Sequence, residues 1–144
     1  VTTSNLHPRR NAREGVLQAL YAQLFSEDEP NLILNRVLDT YPERKKNSEF
    51  ISLLFHCVLD HADWADDIIK SRLQNWEFDR VAQVDLVLLR MGICEIFYME
   101  DIPPKVSISE MVEISKVYST EESSGFINGI LDAVYKDYKQ QEKN

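Results

Sequence analysis

The sequence predicts an all-α fold, and three observations carry that expectation. Apolar residues recur at spacings of three and four along most of the chain. Only 4 Gly and 5 Pro occur among 144 residues, too few turn formers for an all-β protein. The chain is 44% hydrophobic and 28% charged, which suits one folded domain with a sizeable core.

The periodicity places seven helices in order. The first runs from about Pro8 to Phe25, with Ala12, Val16, Leu17, Leu20, Tyr21 and Leu24 on one broad face and Asn11, Glu14 and Gln18 opposite. Pro30 opens a short helix over about 31–40, which Tyr41-Pro42 stops because proline disfavours helix at the residue before it. Glu43-Arg44-Lys45-Lys46 reads as a solvated loop. A third helix carries Phe50, Leu53, Leu54, Cys57 and Val58 at i, i+3, i+4, i+7 and i+8. A fourth spans about Asp63 to Gln74, with Trp64, Ile68 and Leu73 inward and Asp63, Asp66, Asp67 and Lys70 outward.

Val81 to Met99 is nearly apolar all round, the pattern of a central helix surrounded by others. Its ionisable residues argue against a membrane span. Buried in that helix, Asp85, Arg90 and Glu95 each need a partner on a neighbouring helix or a route to the surface. Asp101-Ile102-Pro103-Pro104 ends it. Ser107-Ile108-Ser109-Glu110 has the form of a capping box that opens the sixth helix, whose inner face is Ile108, Met111, Val112 and Ser115. Ser119-Thr120-Glu121-Glu122 offers a second box before the last helix, which buries Ile127, Ile130, Leu131 and Val134. Residues 1–7 and 139–144 are expected to be flexible ends of the single domain.

Chemistry is sparse. There is no phosphate-cradling glycine loop, no G-x-S-x-G elbow and no zinc-spaced cysteine pair, so neither catalysis nor a cofactor or metal is expected. Cys57 and Cys94 sit in apolar helical patterns and read as reduced core thiols of a cytoplasmic protein. His61 shares a face with Cys57, but two ligands alone make a weak metal site. The basic start runs into an amphipathic stretch and does not resemble a signal peptide.

Charge is the more informative signal. The formal net charge is -8, yet Arg9, Arg10 and Arg13 crowd the first turns of the first helix against the single acid Glu14. Cations there oppose the helix macrodipole and repel one another across adjacent turns. On the helical wheel they fall on the apolar side and overhang a neighbouring element. An anionic partner such as a phosphate backbone would relieve them; arginines that cover apolar surface with their stems are the alternative. Residues 60–101 carry ten acids against four cations, a surface suited to a basic protein. Near the last helix, Phe126 is offset from the buried stripe between Gly125 and Ile127-Asn128-Gly129. It can stack an unpaired base or form the edge of the core.

Taken together, these segments resemble the NusB family of bacterial transcription antitermination factors. The matching pieces are Arg9-Arg10-Asn11-Ala12-Arg13-Glu14 with Gln18-Ala19-Leu20-Tyr21, Val84-Asp85 with Leu88-Leu89-Arg90 and Glu95, Ile102-Pro103-Pro104-Lys105-Val106, Ile108-Ser109-Glu110 with Glu113, and Phe126-Ile127-Asn128-Gly129-Ile130-Leu131-Asp132. The resemblance implies an all-helical fold of two small packed bundles and a cytoplasmic, non-catalytic role. It implies binding of single-stranded boxA RNA in ribosomal-operon leaders and phage transcripts, together with NusE, a protein that doubles as a small-subunit ribosomal protein. The pair would join the elongating RNA polymerase complex and suppress termination. By position, the RNA-facing surface maps to Arg9, Arg10, Arg13, Arg90, Glu122 and Phe126, and the NusE-facing surface to Tyr21, Asp79 and Asp85. Asn11 and Gly125 stand where relatives can be basic, which makes reliance on a basic partner stronger. Some members form homodimers that hide the RNA surface. Two other classes stay open: an acidic interaction module with little RNA affinity of its own, and the N-terminal part of a ribosomal-RNA cytosine methyltransferase.

Overall fold

Proline opens three of the helices. Pro8, Pro30 and Pro104 each stand at a helix's first residue, where the missing N–H is no loss and the fixed φ is already helical. The structure, a computed structural model, describes residues 8–73 and 78–143. Among these are six α-helices: α1 (Pro8–Leu24), α2 (Pro30–Thr40), α3 (Ser48–Ser71), α4 (Gln83–Tyr98), α5 (Pro104–Tyr118) and α6 (Glu121–Lys143). Short 3₁₀ turns cover Pro42–Asn47 and Phe78–Arg80. The all-α expectation holds, but the count of seven does not. The third and fourth expected helices run together as α3, and only His61, at φ -121° and ψ 17°, leaves helical geometry between them. The His61 ring nitrogen Nδ1 lies 2.9 Å from the carbonyl oxygen of Cys57, the group a regular helix offers to residue 61's own N–H. Residues 1–7 and 144, expected to be flexible, lie outside the described residues, as does Gln74 at the expected end of the fourth helix. The α6 helix continues through 139–143.

The chain divides into two compact units, residues 1–56 and 57–144. In the first, α1 packs on α2 and on the 3₁₀ turn 42–47. Ala12, Val16, Leu17, Ala19 and Leu20 of α1, Ile33 and Leu34 of α2, and Ile51, Leu54 and Phe55 of α3 are buried. Each large one contributes about 1.5–3 kcal/mol by leaving water. Leu53, expected inward, is 57% exposed because Ile51, Leu54 and Phe55 take the inner arc of that helix.

In the second unit, α4, α5 and α6 pack on one another in every pairing. Every residue of α4 from Asp85 to Leu89 and from Met91 to Ile96 is buried, as expected of a central helix. The α6 stripe Ile127, Ile130, Leu131 and Val134 is buried as read. On the later half of α3 the fully buried residues are Ala65 and Ile69, while Trp64 and Ile68 are half-buried, as is Leu73 just beyond the helix end.

Both capping boxes are displaced. The α5 helix starts three residues early, at Pro104, so Ser107 lies inside it, fully buried, and donates to Glu95 Oε1 at 2.7 Å. That hydroxyl is needed by a fully buried carboxylate and not by a helix end. At α6 the cap is Thr120, whose Oγ1 accepts from the Ser123 amide at 3.0 Å, one residue later than the box Ser119–Glu122. Glu121 and Glu122 then stand in the first turn, where the macrodipole favours them.

Gly92 marks the tightest approach in this unit. A Cβ there would lie 2.7 and 2.9 Å from the two methyls of Leu131, which is fully buried and has no room to retreat. Gly92→Val should therefore lower stability by about 1–3 kcal/mol or more, read as a lower midpoint in urea unfolding; an unchanged midpoint would show that α4 and α6 are not in contact there.

Candidate nucleic-acid interface

The arginine cluster is sorted by depth. Arg9 is exposed, Arg10 is half-buried and Arg13 is only 2% exposed. Phe50 of α3 lies under two of them. Its ring centre is 4.2 Å from the Arg9 guanidinium carbon and 5.3 Å from that of Arg13. The π face of Phe50 supplies negative potential that offsets the helix dipole and the mutual repulsion of the cations. The overhang onto a neighbouring element is as read. The need for an outside anion is narrower than the sequence suggested, and it falls chiefly on Arg9.

The other face of α1 departs from expectation. Asn11 and Glu14 are buried, and the supposedly solvated Arg44 is 2% exposed. Arg44 Nε donates to Asn11 Oδ1 at 3.0 Å and Nη1 donates to Gln18 Oε1 at 2.8 Å. Its guanidinium also lies 4.2 Å from the Tyr41 ring centre. Gly15 makes room for it: a Cβ there would meet the Arg44 side chain at 3.2 Å. The polar face of α1 is thus a socket for one arginine, and it holds the helix that presents Arg9 and Arg10. Sequence reading missed Arg44 because its neighbours Glu43, Lys45 and Lys46 are all exposed and made the run look uniform. Gly15 between Asn11 and Gln18 was the available signal.

At the far end of α1, Tyr21 is 39% exposed and tilts against Phe25, ring centres 5.1 Å apart, with Phe25 itself 69% exposed. That is an apolar surface of the kind a protein partner covers.

In the second unit a cavity of about 300 Å³ is lined by Arg80, Asp85, Thr120, Glu122, Ser123 and Phe126, with Val81 and Ala82. It gathers residues that the sequence placed in two different roles: Asp85 for the protein partner, Glu122 and Phe126 for RNA. Asp85 is 5% exposed, and its Oδ1 has no hydrogen-bond partner. A buried carboxylate oxygen left without a donor is costly, so the site is ready for an N–H or cationic group from outside. Asp79 is exposed in the adjoining 3₁₀ turn. Arg80, which lines the same cavity, was not singled out from sequence.

Arg90 and Glu95 are answered from within. Arg90 Nε and Nη2 hold Asp66 Oδ1 and Oδ2 at 2.7 and 2.8 Å, a two-pronged pair with both side chains 15% exposed. Asp66, read as outward, is drawn in to neutralise it. Among the described residues no group of three or more His, Cys, Asp or Glu is placed to hold a metal, and no helix is long and apolar enough to cross a membrane.

The order of these features along the chain has a counterpart among known proteins. A family model described as the NusB family matches residues 10–136. The chain belongs to the NusB family. The transcription antitermination protein NusB of Bacillus subtilis (strain 168) is 37% identical over 132 residues, covering 92% of this chain and 98% of the relative. The solved structure of T. maritima NusB superposes with a TM-score of 0.81 at 36% identity, covering 90% of this chain and 91% of that one. A crystal structure of the antitermination factors NusB and NusE in complex with dsRNA contains a chain similar at TM-score 0.77 and 26% identity, over 90% of this chain and 97% of that one. NusB proteins are non-enzymatic RNA-binding regulators.

If Arg44 is the plug of the α1 socket, Arg44→Met should lose about 1–3 kcal/mol, because it strips donors from buried Asn11 and from Gln18. Lys45→Met, one residue on and exposed, should stay within about 0.5 kcal/mol. Urea midpoints of the two variants compare them directly, and equal midpoints would place Arg44 in solvent.

Proposed function

We propose that this protein is a transcription antitermination factor that binds boxA RNA jointly with NusE and, in that complex, joins elongating RNA polymerase. Membership of the NusB family supports the general role, and the relative solved with NusE and dsRNA supports the two kinds of partner. The observation that carries the joint reading is the cavity of the second unit, where Asp85 adjoins Glu122 and Phe126. The arrangement as two small bundles is part of the same proposal.

The residues divide the work. Arg9 and Arg10 contact phosphates, which fix register without reading sequence. Arg13, buried beside Phe50, holds the platform on which Arg9 lies. Phe126 stacks an unpaired base, and Glu122 accepts from a base edge. Arg90 contributes through Nη1, since Asp66 occupies its other two nitrogens. Tyr21, Asp79 and Asp85 meet NusE. The formal charge of -8 works against RNA held by this chain alone, and a basic partner reverses that field locally. A homodimer that covers the same surface would compete with RNA.

Titration of boxA RNA onto the protein–NusE pair across salt concentrations tests the assignment. Arg9→Ala should weaken binding and reduce the steepness of log K against log salt by about 0.7, one lost phosphate contact on a single strand. Phe126→Ala should lose about 1–3 kcal/mol of binding with the steepness unchanged, because stacking releases no counterions. An unaltered salt dependence in Arg9→Ala would remove Arg9 from the phosphate contacts. A second reading, an acidic interaction module, draws on the unpaired Oδ1 of Asp85. It requires NusE binding that Asp85→Lys abolishes, together with no RNA binding by the pair.

A further inference from the structure

A second cavity of the later unit lies where α3, α4 and α6 meet, and it shares no residue with those assigned to RNA or NusE. It encloses about 280 Å³. Trp64 and Ile68 of α3, Phe97 of α4 and Val134 of α6 form its apolar walls, and Ser71, Asp137 and Gln141 supply its polar groups. Ring contacts fix the walls. Trp64 meets Phe97 at right angles, with ring centres 5.1 Å apart and 89° between planes. Tyr98 also packs against Trp64, at 5.4 Å, and Tyr138 against Phe97, at 4.9 Å. Walls braced in this way are set before a ligand arrives, which lowers the ordering cost of binding.

The polar groups are of one kind. Ser71 Oγ donates to the Ile68 carbonyl oxygen at 2.6 Å, so its proton is committed and its lone pairs remain. Asp137 accepts from Arg72 through Oδ2, which leaves Oδ1 as an acceptor. Gln141 adds an amide oxygen. No lysine or arginine is among the described residues that line the cavity. Arg72 Nε, buried and unpaired, lies outside the lining and offers no donor there. The rings add to the negative potential, because the corner between two perpendicular rings has a π face on each side. Asp67 is exposed on the same face of α3, between Trp64 and Ser71, so two carboxylates stand against the one guanidinium of Arg72. This surface favours a cation with an apolar body.

We propose that the cavity binds a short primary alkylamine in its ammonium form. A primary ammonium has three N–H donors and no acceptor. That matches three acceptors, Asp137 Oδ1, Ser71 Oγ and the Gln141 amide oxygen. The hydrocarbon stem lies against Ile68, Val134 and the two rings, so the charge stays with the polar groups while only methylenes leave water. A quaternary ammonium has no N–H to give, and a carboxylate or phosphate meets only lone pairs and like charge. A volume just under the usual range of ligand pockets limits the stem to a few carbons.

The test uses the full chain labelled with nitrogen-15 and carrying Trp76→Phe, which leaves Trp64 as the one tryptophan and its indole N–H as a reporter of the cavity. Butylamine hydrochloride is titrated near neutral pH, with 1-butanol and potassium chloride at matched ionic strength as controls. The expected result is a saturable shift of the Trp64 indole resonance and of the Ser71, Asp137 and Gln141 amides with butylamine. Butanol, the same stem without charge, should bind several-fold more weakly, and potassium chloride should give no such shift. Asp137→Asn should weaken butylamine binding several-fold. Gln141→Lys, at an exposed position, places a cation among the acceptors and should abolish it. No saturable shift with butylamine would overturn the proposal. So would butanol binding as tightly as butylamine, shifts that potassium chloride reproduces, or undiminished binding in Gln141→Lys. The backbone amides of the unsubstituted chain decide the matter even if Trp76→Phe fails to fold, and neither RNA nor NusE enters it.

Discussion

A helix that is buried on every side can carry an ionisable residue only where a neighbouring helix answers it, and α4 carries three. Arg90 is answered by both oxygens of Asp66. Glu95, with no exposure at all, is answered by Ser107, and this draws the start of α5 into the core. Asp85 alone has an oxygen with no partner among the described residues of the chain, and it lies at the cavity that also contains Phe126 and Glu122. The first two pairings set how α3, α4 and α5 meet. The third leaves a buried carboxylate oxygen without a donor at the edge of that cavity. Breaking a buried pair costs more than making it gains, so these residues specify the packing more than they stabilise it.

The first unit uses a related device with the sign reversed. Its cations gather at a helix N-terminus, a location that opposes them, and Phe50 makes the arrangement tolerable by presenting its π face to Arg9 and Arg13. Arg44 enters from the other side, paired to Asn11 and Gln18 over the bare backbone of Gly15. Arginine stems and guanidinium planes thus bracket α1 on two sides, and Arg9 is the one held outermost. A phosphate arriving there meets a cation whose position is already set, which reduces the ordering cost of the contact.

Much of the fold was legible because its signals are local. The 3.6-residue period located most of the helices, Pro8 and Pro30 marked two starts, and the uniform apolarity of residues 81–99 identified the central helix. What escaped was decided by partners distant in the chain. Ser107 has every local feature of an N-cap, yet Pro104 starts the helix earlier and Glu95 claims the hydroxyl. Arg44 stands in a charged run, and its burial depends on Asn11, 33 residues away. Asp66 looks like helix surface until Arg90 is placed beside it. At the candidate site, the arginine cluster and Phe126 were visible as anomalies, charge against a dipole and an aromatic off its stripe. Arg80 carried no such anomaly and appeared only with the cavity.

The central claim is that RNA and NusE are bound together through surfaces that support each other. Linkage makes this measurable as a coupling between two equilibria. Binding of labelled boxA RNA, at physiological salt, is measured on the protein alone and on the protein saturated with NusE. The expected result is an RNA affinity raised at least several-fold by NusE, with NusE affinity raised by the same factor when RNA is present. Equal RNA affinity in both states, or RNA bound by NusE with no contribution from this chain, would contradict it.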